Sequence, residues 1–179
     1  MGRPGEGPGK LGGQVFGVAV RDQLWVVDPR NARLSVFEVG SLVRDRLPGR
    51  IFAVARSVKG DGILVSGFLA AGGNQYRLAR ITLDPDADVY GGVPEEHPNP
   101  RMAIHMPAET KDGEVWTFAI VGGAVNVLNA ADLSLVERWR LPGAEFGRVG
   151  EEGRPNRSGE RAPPTPHLAG VMTDDDGLI

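Results

Sequence analysis

The chain has 179 residues, a formal net charge of −3 and a sequence isoelectric point near 5.6. That balance argues against a whole-protein basic footprint for nucleic acid or an anionic membrane, and the absence of cysteine excludes disulfide frameworks, thiol catalysis and every Cys-containing zinc site. Hydrophobic residues at 41% and charged residues at 24% fit a folded domain, while 26 glycines and 14 prolines predict many turns and little long helix.

In chain order, residues 1–13 (MGRPGEGPGKLGG) hold eight glycines or prolines and no apolar run behind a basic start, so they read as a flexible leader. Gly9 and Lys10 fail as a phosphate loop, because Pro4 stands where glycine is required and Leu11 where Ser or Thr is required. Three sets of short, β-branched or aromatic runs follow, separated by Asp, Asn, Pro and Gly, the composition of antiparallel strands joined by tight turns. The first set is 14–20, 24–27 and 33–39; the second is 51–58, 63–69 and 76–83; the third is 102–106, 115–121, 124–128 and 133–141. No stretch sustains apolar spacing at i, i+3, i+4, and 41–47 reads as one turn at most. The longest apolar stretch, 63–71, is too short to cross a bilayer. Residues 143–179 are polar and proline-rich without period, and read as a disordered tail.

The sets resemble one another. Asp28, Asp84 and Asn129 each follow an apolar strand and open a turn, Asp-Gly pairs sit at 61–62 and 112–113, and Leu-Pro-Gly closes the first and third sets at 47–49 and 141–143. A period of about 50 residues with about four short strands per unit is the sequence mark of propeller blades. Runs such as LWVVDPRNARLSVFEV and AVNVLNAADLSLVERWRLPG give residues 14–142 a resemblance to bacterial β-propellers of the NHL or six-bladed kind. The resemblance implies an all-β array of about three four-stranded antiparallel blades, at about 14–49, 50–94 and 101–142. It departs from the family in showing fewer blades than a closed ring needs, roughly four. The competing fold is a small β-sandwich, whose strand spacing is similar.

Candidate chemistry is sparse. Asp84, Asp86, Asp88 and Glu95 reproduce the carboxylate spacing of a calcium loop, in which oxygens at alternate positions converge on a hard cation. Val89 replaces the glycine of the sharp turn, so a solvated acidic turn is the preferred reading and no cofactor is expected. His105 falls in an expected strand, where a packed or hydrogen-bonded imidazole is the usual outcome. No Gly-x-Ser-x-Gly elbow and no Gly-x-Gly-x-x-Gly occurs. Arginine outnumbers lysine 17 to 3, and Arg44, Arg46 and Arg50 cluster around one loop, a planar-fork set suited to carboxylates and phosphates. Trp25, Trp116 and Trp139 are expected to pack blades together.

These features point to a non-catalytic binding or scaffold module that recognises a protein or small-molecule ligand through its inter-strand loops. Neither nucleic acid nor membrane is an expected partner, and the open sheet edges of a partial array favour self-association. The alternatives are a hydrolase- or lactonase-like propeller enzyme with a metal site, or an incomplete module without independent activity.

Overall fold

A computed structural model describes residues 15–38, 41–42, 47–58, 62–92, 104–120, 123–140, 173–174 and 177–178. The expected leader and nearly all of the expected tail lie outside the described residues.

The chain is an all-β array of three four-stranded antiparallel sheets, the arrangement of a partial β-propeller. The first sheet comprises β1 (Phe16–Val20), β2 (Gln23–Asp28), β3 (Arg33–Glu38) and β4 (Ser41–Leu42). The second comprises β5 (Gly49–Arg56), β6 (Gly62–Ala71), β7 (Asn74–Thr82) and β8 (Val89–Gly91). The third comprises β9 (His105–Glu109), β10 (Glu114–Ala119), β11 (Ala124–Asn129) and β12 (Leu135–Arg140). Within each sheet the strands follow sequence order, as hairpins dictate, and β5 packs against β1 on one side and β9 on the other. A two-layer sandwich has no such recurring unit. A fourth pairing, β13 (Thr173–Asp174) with β14 (Gly177–Leu178), lies within the segment read as a tail.

Two apolar seams hold the sheets together, and the middle sheet contributes to both. Successive strand residues point to opposite faces, so Ile63 and Val65 of β6 join Trp25, Val27, Leu34 and Val36 of the first sheet. Leu64, between them, joins Val115, Leu128 and Leu133 of the third. Being covered on both sides, β6 is a continuous apolar run rather than an alternating one. Each such side chain removed from water contributes about 1.5–3 kcal/mol. The second seam is tight enough that Gly91 of β8 lies directly against Leu133, leaving no room for a Cβ.

Four local expectations change. The first strand of the third sheet runs His105 to Glu109 rather than ending at 106, because Pro107 is tolerated there. The Ile120 N–H donates to the Ile104 carbonyl, and by alternation the Pro107 nitrogen faces away from β10, on the free edge. Ser41–Leu42 pairs with β3 instead of forming a turn, and Val89–Gly91 adds an eighth strand after the Asp84 turn. Trp25 is fully buried between the first two sheets, but Trp116 lies on the face of the third sheet turned away from the second, half-buried and edge-on to Trp139 at 5.5 Å. Trp25→Ala is therefore expected to cost about 3–5 kcal/mol in chemical denaturation, and Trp116→Ala less than half as much. Equal losses would place both rings in seams.

Candidate ligand groove and the buried polar seam

The residues that line one groove come from the junction of the first two sheets. Phe16 of β1, Pro29, Arg30 and Ala32 of the β2–β3 turn, and Gly49, Arg50, Ile51 and Phe52 of β5 enclose about 650 Å³. The turn forms because Asp28 caps it: its Oδ1 accepts the Asn31 N–H at 3.2 Å and its Oδ2 the Asn31 side-chain amide at 2.8 Å. The Leu47 N–H, donating to Ala32 O at 3.0 Å, then brings the start of β5 beside that turn. A register shift between Ile51 and Ala53 bends β5 at the groove.

A ladder of two arginines and two phenylalanines starts at the groove. The Arg50 guanidinium lies 5.2 Å from the centroid of the Phe52 ring, and Phe52 meets Phe68 edge-on at 5.1 Å. Arg77 covers the Phe68 ring at 4.4 Å, completing a ladder of cation, ring, ring and cation. Stacking restrains a guanidinium without consuming its in-plane donors, which leaves the fork of Arg50 able to meet a carboxylate or phosphate. Of the three arginines singled out in the sequence, Arg50 lines this groove, and Arg44 and Arg46 lie outside the described residues. Arg30 was missed; its position in a turn after Asp-Pro was the available signal.

The acidic turn folds on itself. Asp84 caps a short 3-10 turn (Pro85–Ala87), its Oδ1 accepting the Asp86 N–H at 3.0 Å, while the Asp88 carboxylate accepts the Thr82 N–H at 2.9 Å. Glu95 lies outside the described residues. Among the described residues no three Asp, Glu or His side chains stand close enough to hold a metal ion.

A second polar feature crosses the seam between the middle and third sheets. Glu109, fully buried, is met by Arg80 Nη2 at 3.1 Å, by the Ser57 hydroxyl at 2.6 Å and by the Val58 N–H at 2.9 Å. Arg80 also donates through Nε to Ser57 Oγ at 3.2 Å and through Nη1 to the Ala130 carbonyl. Burial of a charge demands this degree of satisfaction. Four residues away on the same face of β9, His105 is buried with an Nδ1 that meets no partner among the described residues, and Ser66 donates to its carbonyl. Burial first, then the nearby Arg138 and Arg77, lowers its pKa from 6.5 to about 4, so it is neutral near pH 7. No sequence motif announced Glu109 or Arg80, since their pairing depends on sheet packing.

No protein-family model and no curated protein matches the chain. Among solved structures, a catalytically inactive histidine variant of virginiamycin B lyase from Staphylococcus aureus with quinupristin matches at TM-score 0.59 and 15% identity, over 93% of this chain and 48% of that one. A selenomethionine-substituted virginiamycin B lyase from Staphylococcus aureus matches at TM-score 0.57 and 18% identity, over 92% and 61%. The chain thus spans about half to three-fifths of the length of these structures. Identity at this level carries the fold alone.

Truncating Glu109 to alanine strands the Arg80 charge, and a loss of about 3–5 kcal/mol in denaturant unfolding is expected, against under about 0.5 kcal/mol for the exposed Glu137→Ala. Because His105 resists protonation in the folded state while the unfolded chain takes up its proton near 6.5, stability is present above that pH. It falls as pH drops from 6.5 towards 4, by up to about 3 kcal/mol in total, and this group adds no further slope below 4. Replacing His105 with glutamine should flatten that window in pH-dependent melting curves; an unchanged slope would assign it to other groups.

Proposed function

We propose that this chain is a propeller-type recognition module, of the six-bladed or NHL-like kind, which binds an acidic segment of a protein or a small anionic ligand in the groove between its first two blades. The observation that carries this reading is the convergence of Arg30 and the ring-stacked Arg50 with Phe16 and Phe52 on one 650 Å³ concavity. Such a site matches a planar carboxylate on the guanidinium forks and an apolar or aromatic group on the rings. Arg44 and Arg46, on the approach to β5 in sequence, extend the cationic rim in this proposal. Calcium at Asp84, Asp86, Asp88 and Glu95 has no part in it, and neither nucleic acid nor membrane is the partner.

An enzyme remains the second reading, because the matching solved structures are of a lyase. For the hydrolase- or lactonase-like version, the metal ligands would have to come from outside the described residues. Self-association through open sheet edges is compatible with either reading.

Isothermal titration with heptaglutamate and with citrate tests the binding proposal. Saturable binding is expected, weakened about tenfold by Arg50→Ala and about a hundredfold when Arg30→Ala is added, as about 1.4 kcal/mol per lost charge-assisted contact implies. Absence of saturation, or affinity unaffected by both substitutions, would overturn it.

A further inference from the structure

The seam between the middle and third sheets buries two polar clusters, and they differ in how far they are satisfied. The Glu109 cluster closes on itself, its carboxylate accepting from Arg80, Ser57 and the Val58 N–H. The other comprises Ser66, His105, Thr117 and Asn126, each at most 2% exposed. Ser66 donates to the His105 carbonyl, and Asn126 Nδ2 donates to Thr117 Oγ1 at 3.1 Å. Those bonds leave two atoms over. Neither His105 Nδ1 nor Asn126 Oδ1 meets a partner among the described residues, and both are sealed from solvent. Native interiors pair nearly all such groups, because an orphan bears the full cost of its lost hydration.

Register sets these groups on one surface. Thr117 of β10 stands opposite Asn126 of β11, which stands opposite Arg138 of β12. His105 of β9 stands opposite Ala119, two residues further along β10. Alternation puts all of them on the face that carries Val115 and Leu128, turned to the middle sheet. Burial, then the charges of Arg138 and Arg77, keeps the His105 imidazole neutral near pH 7. A neutral buried imidazole flanked by guanidinium charge calls for an acceptor. His105 offers a donor when its proton sits on Nδ1. The Asn126 amide offers a second by turning over, since the Thr117 hydroxyl then donates to Oδ1 and Nδ2 takes the place of the orphan. Two buried N–H groups within a positive field suit an anion.

We propose that this seam binds a compact anion between His105 Nδ1 and the Asn126 amide, with Arg138 and Arg77 supplying the surrounding positive charge. The chemistry is that of a halide or of a small phosphate or carboxylate group, accepting from both N–H donors at once. Bound there, the anion completes the second polar cluster as Arg80 completes the first, and it joins β9 to β11 across the face of β10. The site is separate from the groove of Arg30 and Arg50, which lies at the other seam, between the first two sheets. Its occupancy does not depend on a ligand in that groove.

The test uses the full chain carrying Arg30→Ala and Arg50→Ala, so that the groove contributes nothing. Thermal unfolding is followed at constant ionic strength in gluconate, an anion too large for a sealed seam. Chloride, phosphate or acetate then replaces the gluconate in separate titrations. At least one of the three should raise Tm with the concentration dependence of a single site. His105→Gln and Asn126→Leu, added to that background, should each raise the dissociation constant by about tenfold or more. Because both substitutions alter a buried position, a second readout leaves them out. The imidazole Nδ1 resonance of His105 in nitrogen-15 spectra should move along the same titration curve as Tm. No response to any of the three anions would overturn the proposal. So would a His105 resonance that stays put while Tm rises, or a Tm response kept at full strength in both variants. Failure of heptaglutamate or citrate to bind the groove leaves each of these outcomes as it was, so the two readings fail separately.

Discussion

The structure depends on burying both faces of the middle sheet at once. A single four-stranded sheet with an apolar run as long as β6 cannot exist alone in water, because alternation sends Ile63 and Val65 one way and Leu64 the other. One neighbour satisfies only half of that demand. The first sheet covers one face through Trp25 and the third covers the other through Leu133, and the radial array follows from this double requirement. The two seams differ in character. The first is apolar throughout its core, whereas the second sets Glu109, Arg80 and Ser57 beside its aliphatic cluster. An ion pair so placed is a poor source of net stability compared with apolar packing. Its geometry is selective, however: the Glu109 oxygens are satisfied when β9 sits in one register against the middle sheet.

The groove is a consequence of the same packing. The register shift of β5 lies at the groove, and the turn after Asp28 lines the space from the first sheet. Arg50 lines that space with its guanidinium over the Phe52 ring. Recognition chemistry therefore sits on turns and strand ends held by a rigid scaffold, which is where propeller-type arrays have freedom to vary.

Much of the fold was legible in the sequence because strand runs, Asp-Gly turns and Asx-led hairpins act locally. The expected strand runs coincide with β1–β3, β5–β7 and β9–β12 to within a few residues. The misses share a cause. Pro107 reads as a breaker until its nitrogen is known to face a free edge, and Ser41–Leu42 is too short to carry a period. Trp116 reads as core by composition, yet which face of β10 is covered depends on sheets far away in sequence. In the candidate site, Arg50 was visible as one of a cluster, but Arg30 and the Arg80–Glu109 pair arise from tertiary juxtaposition, which single-residue chemistry does not report.

Residue-resolved amide exchange tests the central claim most directly, because a sheet sealed on both faces opens only when the whole array unfolds. Exchange of the β6 amides is expected to be the slowest in the chain and to follow global stability as denaturant is added, with β12, whose side chains are largely exposed, opening locally and much sooner. Exchange in β6 as fast as in β12, and insensitive to global stability, would contradict a middle blade held between two others.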